Sequence, residues 1–272
     1  MNYLIMTVTT AFLEYWDLLI FFFLIALFYS SAGFGGGSSY LAVLALYSLP
    51  FTQIRSAALL CNIVVVSGGV MIFLKNGHYK WKKVLPLVFA SVPLAFVGGL
   101  VPLRQSAFFI LLGFGLIFAA AGMWFRPGRG ELPEGEVKVK TSFVNAAYGG
   151  VVGFVSGMLG IGGGIFLSPI LHLTRWDNAK TIAATSSFFI LVNSISGLAG
   201  QLLNDKFEAV WELTLLLVIS VFIGGQIGSR LSAVQFSQTR VKQVTALLIF
   251  MVGGRILWKQ FELQEWLLSL VG

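Results

Sequence analysis

Apolar residues run along this chain in long stretches broken by short polar ones. Neither the two-residue alternation of a half-buried strand nor the apolar stripe of a soluble helix accounts for runs of that length. A helix needs roughly 20 residues to cross a bilayer. On that measure, segments fall at about 12–31, 34–49, 54–74, 84–103 and 106–125, then at 143–159, 163–173, 181–203, 210–229 and 241–258. The second segment of each set is short. Either it meets its predecessor end to end at a run of glycines, or the two form a hairpin that dips in and returns.

Composition removes the soluble classes. Of 272 residues, 57% are hydrophobic and 11% charged, whereas a soluble domain carries about 25% charged residues. The runs also exclude an outer-membrane barrel, whose strands alternate over ~10 residues. The expected class is an all-α polytopic membrane protein. The net charge of +7 sits in short loops, as in cytoplasmic loops of membrane proteins, and does not call for nucleic acid. Cys61 is the one cysteine, so no intrachain disulfide or thiolate metal site is expected. No Lys or Arg precedes Arg55, and Met1 to Ser30 therefore reads as a retained helix rather than a cleaved signal.

The chain also echoes itself. Ser31-Ala-Gly-Phe-Gly-Gly-Gly37 is matched by Gly157-Met-Leu-Gly-Ile-Gly-Gly-Gly164, Asn62 and Ser67-Gly68 by Asn193 and Ser196-Gly197, and Gly98-Gly99 by Gly224-Gly225. Lysines at 75, 80, 82 and 83, the basic residues of 126–140 and those of 230–242 place these loops in the cytoplasm. The acids of 205–212, with Glu14 and Asp17, place the opposite loops and both termini outside. Five segments per half then make the two halves inverted relative to each other, an architecture of many secondary transporters. The expected organisation is a first repeat at 1–125, a cytoplasmic linker at 126–142, a second repeat at 143–258 and an amphipathic tail at 259–272.

Consecutive glycines cost a helix about 1 kcal/mol each relative to Ala. A break exposes backbone groups, which in hydrocarbon must be packed or line a wet cavity. The start of the following short helix then points free N–H groups and a positive dipole at that cavity, an environment that suits an anion. Gly33, Gly35, Gly36, Gly37, Gly160, Gly162, Gly163 and Gly164 are the candidates for that role. Gly149, Gly153 and Gly157, spaced four apart, read instead as helix packing. No strand precedes either run and no Lys-Ser/Thr pair follows, so neither is a nucleotide fingerprint.

The duplicated Gly33-Phe-Gly-Gly-Gly37 and Gly160-Ile-Gly-Gly-Gly164, with Pro169, Ala184-Thr-Ser-Ser187 and Gly224-Gly-Gln-Ile-Gly228, resemble the TauE/SafE sulfite exporter family over nearly the whole chain. The resemblance implies a prokaryotic inner-membrane carrier of sulfite, sulfonates or other small organic or sulfur-containing anions, with the duplicated motif at the transport path. The first copy departs from the pattern, having Ala42 where the second has Pro169.

Polar residues inside the spans complete the candidate set, because such groups face the bundle interior or a cavity. They are Ser38, Ser39, Arg55, Asn62, Thr185, Ser186 and Asn193. Arg55 either offers a fork of donors to an oxyanion or anchors the helix at the surface. The amides and hydroxyls either meet an anion or bond neighbouring helices. His172 caps a short helix or acts as a pH-sensitive gate. No Asp or Glu lies inside a span away from its ends, which disfavours a cationic cargo. Coupled protons would travel on the cargo as a weak acid or through His172. No constellation of acid, base, nucleophile or metal ligands suggests an enzyme, and no cofactor is expected. The reading is a secondary anion carrier working by alternating access, partnered by its small anion and the lipid bilayer. An anion channel or a structural membrane subunit is the alternative, and a homo-oligomer is left open.

Overall fold

A computed structural model describes residues 9–31, 34–47, 49–124, 142–174, 176–203, 207–231, 246–247 and 249–262. Gly33, nearly all of the expected linker at 126–142 and residues 263–272 of the expected tail lie outside them. Among the described residues the regular structure is helical: α1 (Trp16–Ser31), α2 (Gly37–Leu44), α3 (Phe51–Lys75), α4 (Trp81–Leu100), α5 (Gln105–Trp124), α6 (Ser142–Leu159), α7 (Gly164–Leu173), α8 (Ala179–Leu203) and α9 (Trp211–Leu231). A further helical stretch, α10, covers 249–262. It continues without a break through Lys259 to Glu262, where the sequence suggests a separate tail.

Five of these helices, α3, α4, α5, α8 and α9, are long and apolar enough to cross a bilayer. The chain is a multi-pass membrane protein. By contrast α2 has 8 residues and α7 has 10. At 1.5 Å per residue these reach about 12 and 15 Å, half the hydrocarbon thickness or less. The second segment is shorter than the apolar run of 34–49 because 34–36 are not helical and 45–47 form a turn.

Glycines set how closely the long helices approach. A Cβ on Gly149, Gly153 or Gly157 of α6 would run into the backbone of α4 at Leu87, Ser91 and Ala95. Likewise, a Cβ on Gly224 or Gly228 of α9 would strike the carbonyls of Phe23 and Leu27 in α1. Small residues permit such backbone-on-backbone packing in lipid, where burial alone does not drive helices together. The pairs α4 with α6 and α9 with α1 are accordingly the most extensive among the described residues. In the centre, α8 packs on both α3 and α4. Phe89, Phe118 and Phe143 point outward, 74%, 68% and 80% exposed, where acyl chains are the solvent.

Polar groups gather where α3 begins and just beyond where it ends. Near its start, the Tyr47 hydroxyl donates to Asp17 at 2.6 Å and Thr52 donates to Glu208 at 2.6 Å. Burial, and then the bond to Asp17, pushes the Tyr47 phenol up to about 12. Beyond its other end, Lys80 Nζ and Lys83 Nζ each lie 2.8 Å from the Asp177 carboxylate. Lys83 also donates to the Trp176 carbonyl and sits over the Trp176 ring. Burial opposes ionisation of Asp177, but the bonds from Lys80, Lys83 and the Asn178 N–H outweigh it and hold the carboxyl below its ordinary range. This cluster ties the α3–α4 connection to the α7–α8 connection.

Candidate functional site

The first glycine turn leads into α2 through Gly36, whose φ of +89° lies in the left-handed region. The second leads into α7 through Gly163, with φ of +82°. An L side chain rarely adopts that conformation, and a Cβ there meets the following carbonyl. Both helices therefore start abruptly. In α2 the first helical bond is Tyr40 N–H to Gly36 O at 3.0 Å, so the N–H groups of Gly37, Ser38 and Ser39 have no partner within the helix. In α7 the first bonds run from Phe166 and Leu167 to Gly163 O, leaving Gly164 and Ile165 in the same position.

The two turns open onto one cavity. Phe34 to Ser38 line it on one side, and Ile161, Gly164, Ile165, Ser168 and Pro169 on the other. Tyr29, Asn62 and Ile190 complete the wall. The cavity holds about 40 Å³ for the centres of water-sized spheres. A single water needs roughly 10–15 Å³ on that measure, so the space suits a small solute or a few waters. None of the lining residues carries a charge.

Asn62 on α3 joins the two turns. Its Nδ2 donates to Ile161 O at 2.9 Å, while its Oδ1 is buried with no partner among the described residues. A Cβ on Gly37 would collide with the Asn62 amide, and one on Gly35 would come within 2.7 Å of Oδ1. Near Gly162, a Cβ would lie 2.7 Å from Ser194 Oγ and 2.8 Å from Asn62 Nδ2. Ser156, Ser186 and Ser194 are further buried hydroxyls with no partner among the described residues.

The remaining sequence candidates lie around the cavity rather than in its wall. Ser39 Oγ is 2.6 Å from the Tyr29 hydroxyl. Thr185 donates back to Thr181 O of its own helix. Asn193 donates to Ser91 Oγ of α4 at 3.1 Å and to Phe189 O. Arg55 is 2% exposed, yet among the described residues its hydrogen bond is a single long one from Nη2 to Gly157 O at 3.4 Å, and Nε has no partner there. It packs beside Gly160 at the end of α6. A cation there suits the negative end of the helix dipole. His172 occupies the last turn of α7. Tyr29, Ile165, Ser168 and Ile190 line the cavity without being sequence candidates. Ser168-Pro169 follows the second glycine run closely enough to be a signal, whereas Ile190 looks like any other apolar residue in its span.

Comparison with known proteins identifies the family. Residues 18–256 match the family described as Sulfite exporter TauE/SafE. The chain belongs to that family. This TauE/SafE chain is 32% identical over 246 residues to a Sinorhizobium fredii protein named "Probable membrane transporter protein y4hK", covering 89% of this chain and 97% of that one. A Xylella fastidiosa protein named "Probable membrane transporter protein" is 26% identical over 238 residues, 84% of this chain and 89% of its own. The Bacillus subtilis "Probable membrane transporter protein YunE" is 28% identical over 116 residues, 43% of this chain and 41% of that one. No solved structure matches this TauE/SafE chain. Family and relatives together make it a membrane transporter.

Proposed function

We propose that the chain is a secondary carrier in the cell inner membrane. Its cargo is a small anion, a sulfur oxyanion such as sulfite or an organosulfonate. The observation that carries this reading is that both glycine turns, each opening a short helix, line the same uncharged cavity. Two sets of helix-start N–H groups with no partner within their helices then lie beside one small space, an arrangement that favours negative charge.

The halves 1–125 and 143–258 are inverted repeats in this reading, joined by a cytoplasmic linker. The equivalence of α4 on α6 with α9 on α1 supports it, since in each pair the fourth helix of one half lies on the first of the other. Loop lysines around Lys80 and Lys83 put that end in the cytoplasm, which leaves both termini outside. Alternating access then consists of the two hairpins rocking around a cavity near the midplane. Gly35, Gly36, Gly37, Ser38, Gly164 and Asn62 hold the cargo.

Thermal stabilisation of the purified protein by sulfite, thiosulfate, sulfate, sulfoacetate, taurine, acetate and chloride tests the reading. A ligand at 100 times its Kd stabilises the folded state by about 2.7 kcal/mol. Selective stabilisation by a sulfur oxyanion or sulfonate is expected, and it is lost in Gly36→Ala and Gly163→Ala although both remain monodisperse. No response to any of these anions overturns the proposal.

A further inference from the structure

The uncharged cavity contains one feature that an anion alone does not satisfy. Asn62 Nδ2 is committed to Ile161 O, and turning the amide over would set Oδ1 against that carbonyl, acceptor facing acceptor. The bond therefore fixes Oδ1 as the group left over. It is buried in a residue that is 0% exposed, and it has no partner among the described residues. Buried acceptors are almost always satisfied. The site beside Gly35 to Ser38 thus presents N–H donors together with one oriented acceptor.

We infer that the cavity selects monoanions that also carry a hydrogen-bond donor, taking hydrogensulfite in preference to the sulfite dianion or sulfate, with Asn62 Oδ1 as the selecting group. This rests on the anion-carrier reading above. A donor-bearing monoanion meets the helix-start N–H groups with its oxygens and Oδ1 with its O–H or N–H. An acceptor-only anion leaves Oδ1 unpaired and places a negative oxygen against it. A dianion adds a second charge to a cavity with no cationic side chain in its wall, and burying an uncompensated charge is costly. The proton that satisfies Oδ1 enters and leaves bonded to the cargo, so each hydrogensulfite crossing moves one proton without a carboxylate inside the spans.

The test uses the full chain in proteoliposomes and measures sulfite influx against two competitors, sulfamate and methanesulfonate. Both are monoanions of the same heavy-atom count and differ in carrying N–H or C–H bonds beside the sulfonyl group. Sulfamate is expected to inhibit about 5- to 100-fold more strongly, the range that an unpaired buried acceptor implies. In Asn62→Leu, checked for folding by gel filtration and thermal melting, the ratio falls to about one. Equal inhibition of wild type by the two competitors overturns the inference while leaving the carrier reading standing. A preference that persists in Asn62→Leu also overturns it, since the selecting group then lies elsewhere. Absence of sulfite influx in wild type, with no thermal stabilisation by sulfite, sulfamate or methanesulfonate, overturns both readings together.

Discussion

Asp177→Asn removes one charge from the cluster that joins the α3–α4 and α7–α8 connections, and its cost follows from the partners' exposure. The Asp177 side chain is 1% exposed, Lys83 19% and Lys80 50%. A half-exposed lysine is screened by solvent, so the Lys80 pair is worth about 0.5 kcal/mol, within the usual range for surface pairs. The Lys83 bond is more buried, and a hydrogen bond to a charged group there contributes about 1.5–3 kcal/mol. Asparagine keeps the volume, accepts from one lysine and retains the bond from the Asn178 N–H, so part of this survives. The net loss is about 2 kcal/mol, or roughly 4–8 °C in Tm for a chain of this size class. The folded-state pKa of Asp177 lies below its ordinary value. Its contribution is therefore complete above the ordinary carboxylate pKa of about 4 and disappears as pH falls through the folded value. Tryptophan-fluorescence melts of wild type and Asp177→Asn in detergent should differ at pH 7 and begin to converge only below the ordinary carboxylate pKa of about 4. Melts at pH 7 within about 1 °C of each other would refute the reasoning, because they would mean that burial of the carboxylate cancels its bonds.

Two further outcomes follow from the same geometry. Tyr47→Phe removes the hydroxyl bonded to Asp17 and should lower Tm by about 2–4 °C, the equivalent of about 1 kcal/mol; ultraviolet titration of wild type against Tyr47→Phe should show residue 47 still mostly protonated at about pH 10, where an ordinary tyrosine is half ionised, because its pKa is pushed up to about 12. In a Cys61→Ala background, the pair Ala90→Cys and Gly150→Cys should form a disulfide, because the Cβ positions are 3.8 Å apart, the mean for that bond. Because α4 and α6 meet backbone on backbone, oxidation should leave sulfite flux within about twofold, and flux lost on oxidation but restored by reductant would show that these helices separate during transport.

The long helices were legible in the sequence because hydrocarbon demands continuous apolar length and internal backbone pairing, and no tertiary detail alters that demand. The stripe Gly149, Gly153, Gly157 was legible for a related reason: spacing alone puts the three on one face, and α4 is what that face meets. Helix faces were much less legible. In a soluble helix polarity marks the outward side, but here lipid and core are equally apolar, so Ile190 in the cavity wall and Ile195, half exposed, look alike in the sequence. Asn62 and Asn193 stand at similar places after their glycine runs. Yet the first faces the cavity and the second bonds Ser91 and its own helix, a difference of helix rotation to which residue type is blind. The length of α2 was hidden because it depends on the turn at Gly36, not on apolarity.

Asn62 shows why the first glycine run answers to the second half of the chain. Gly37 lacks a Cβ where the Asn62 amide passes on its way to Ile161 O, and a Cβ there would also come within 2.7 Å of that carbonyl. The requirement at Gly37 is thus imposed by a bond between α3 and the turn before α7, about a hundred residues away. Such interhelical bonds in membrane proteins average about 0.6 kcal/mol, close to thermal energy. In the proposed carrier, a bond of that size orients the amide while the cavity is occupied and costs little to exchange during a transport cycle. The glycine contacts of α4 with α6 and of α1 with α9 are different in kind. They are shape contacts between backbones, which hold their register until the helices part entirely. In the proposed carrier, motion around the cavity is cheapest where α3 and α8 meet the glycine turns through side chains, and most costly at the two backbone-packed pairs. On that reading a cargo that engages Asn62 Oδ1 acts on the same side chain that bridges the turns, which would couple occupancy to the cheap interface through one amide.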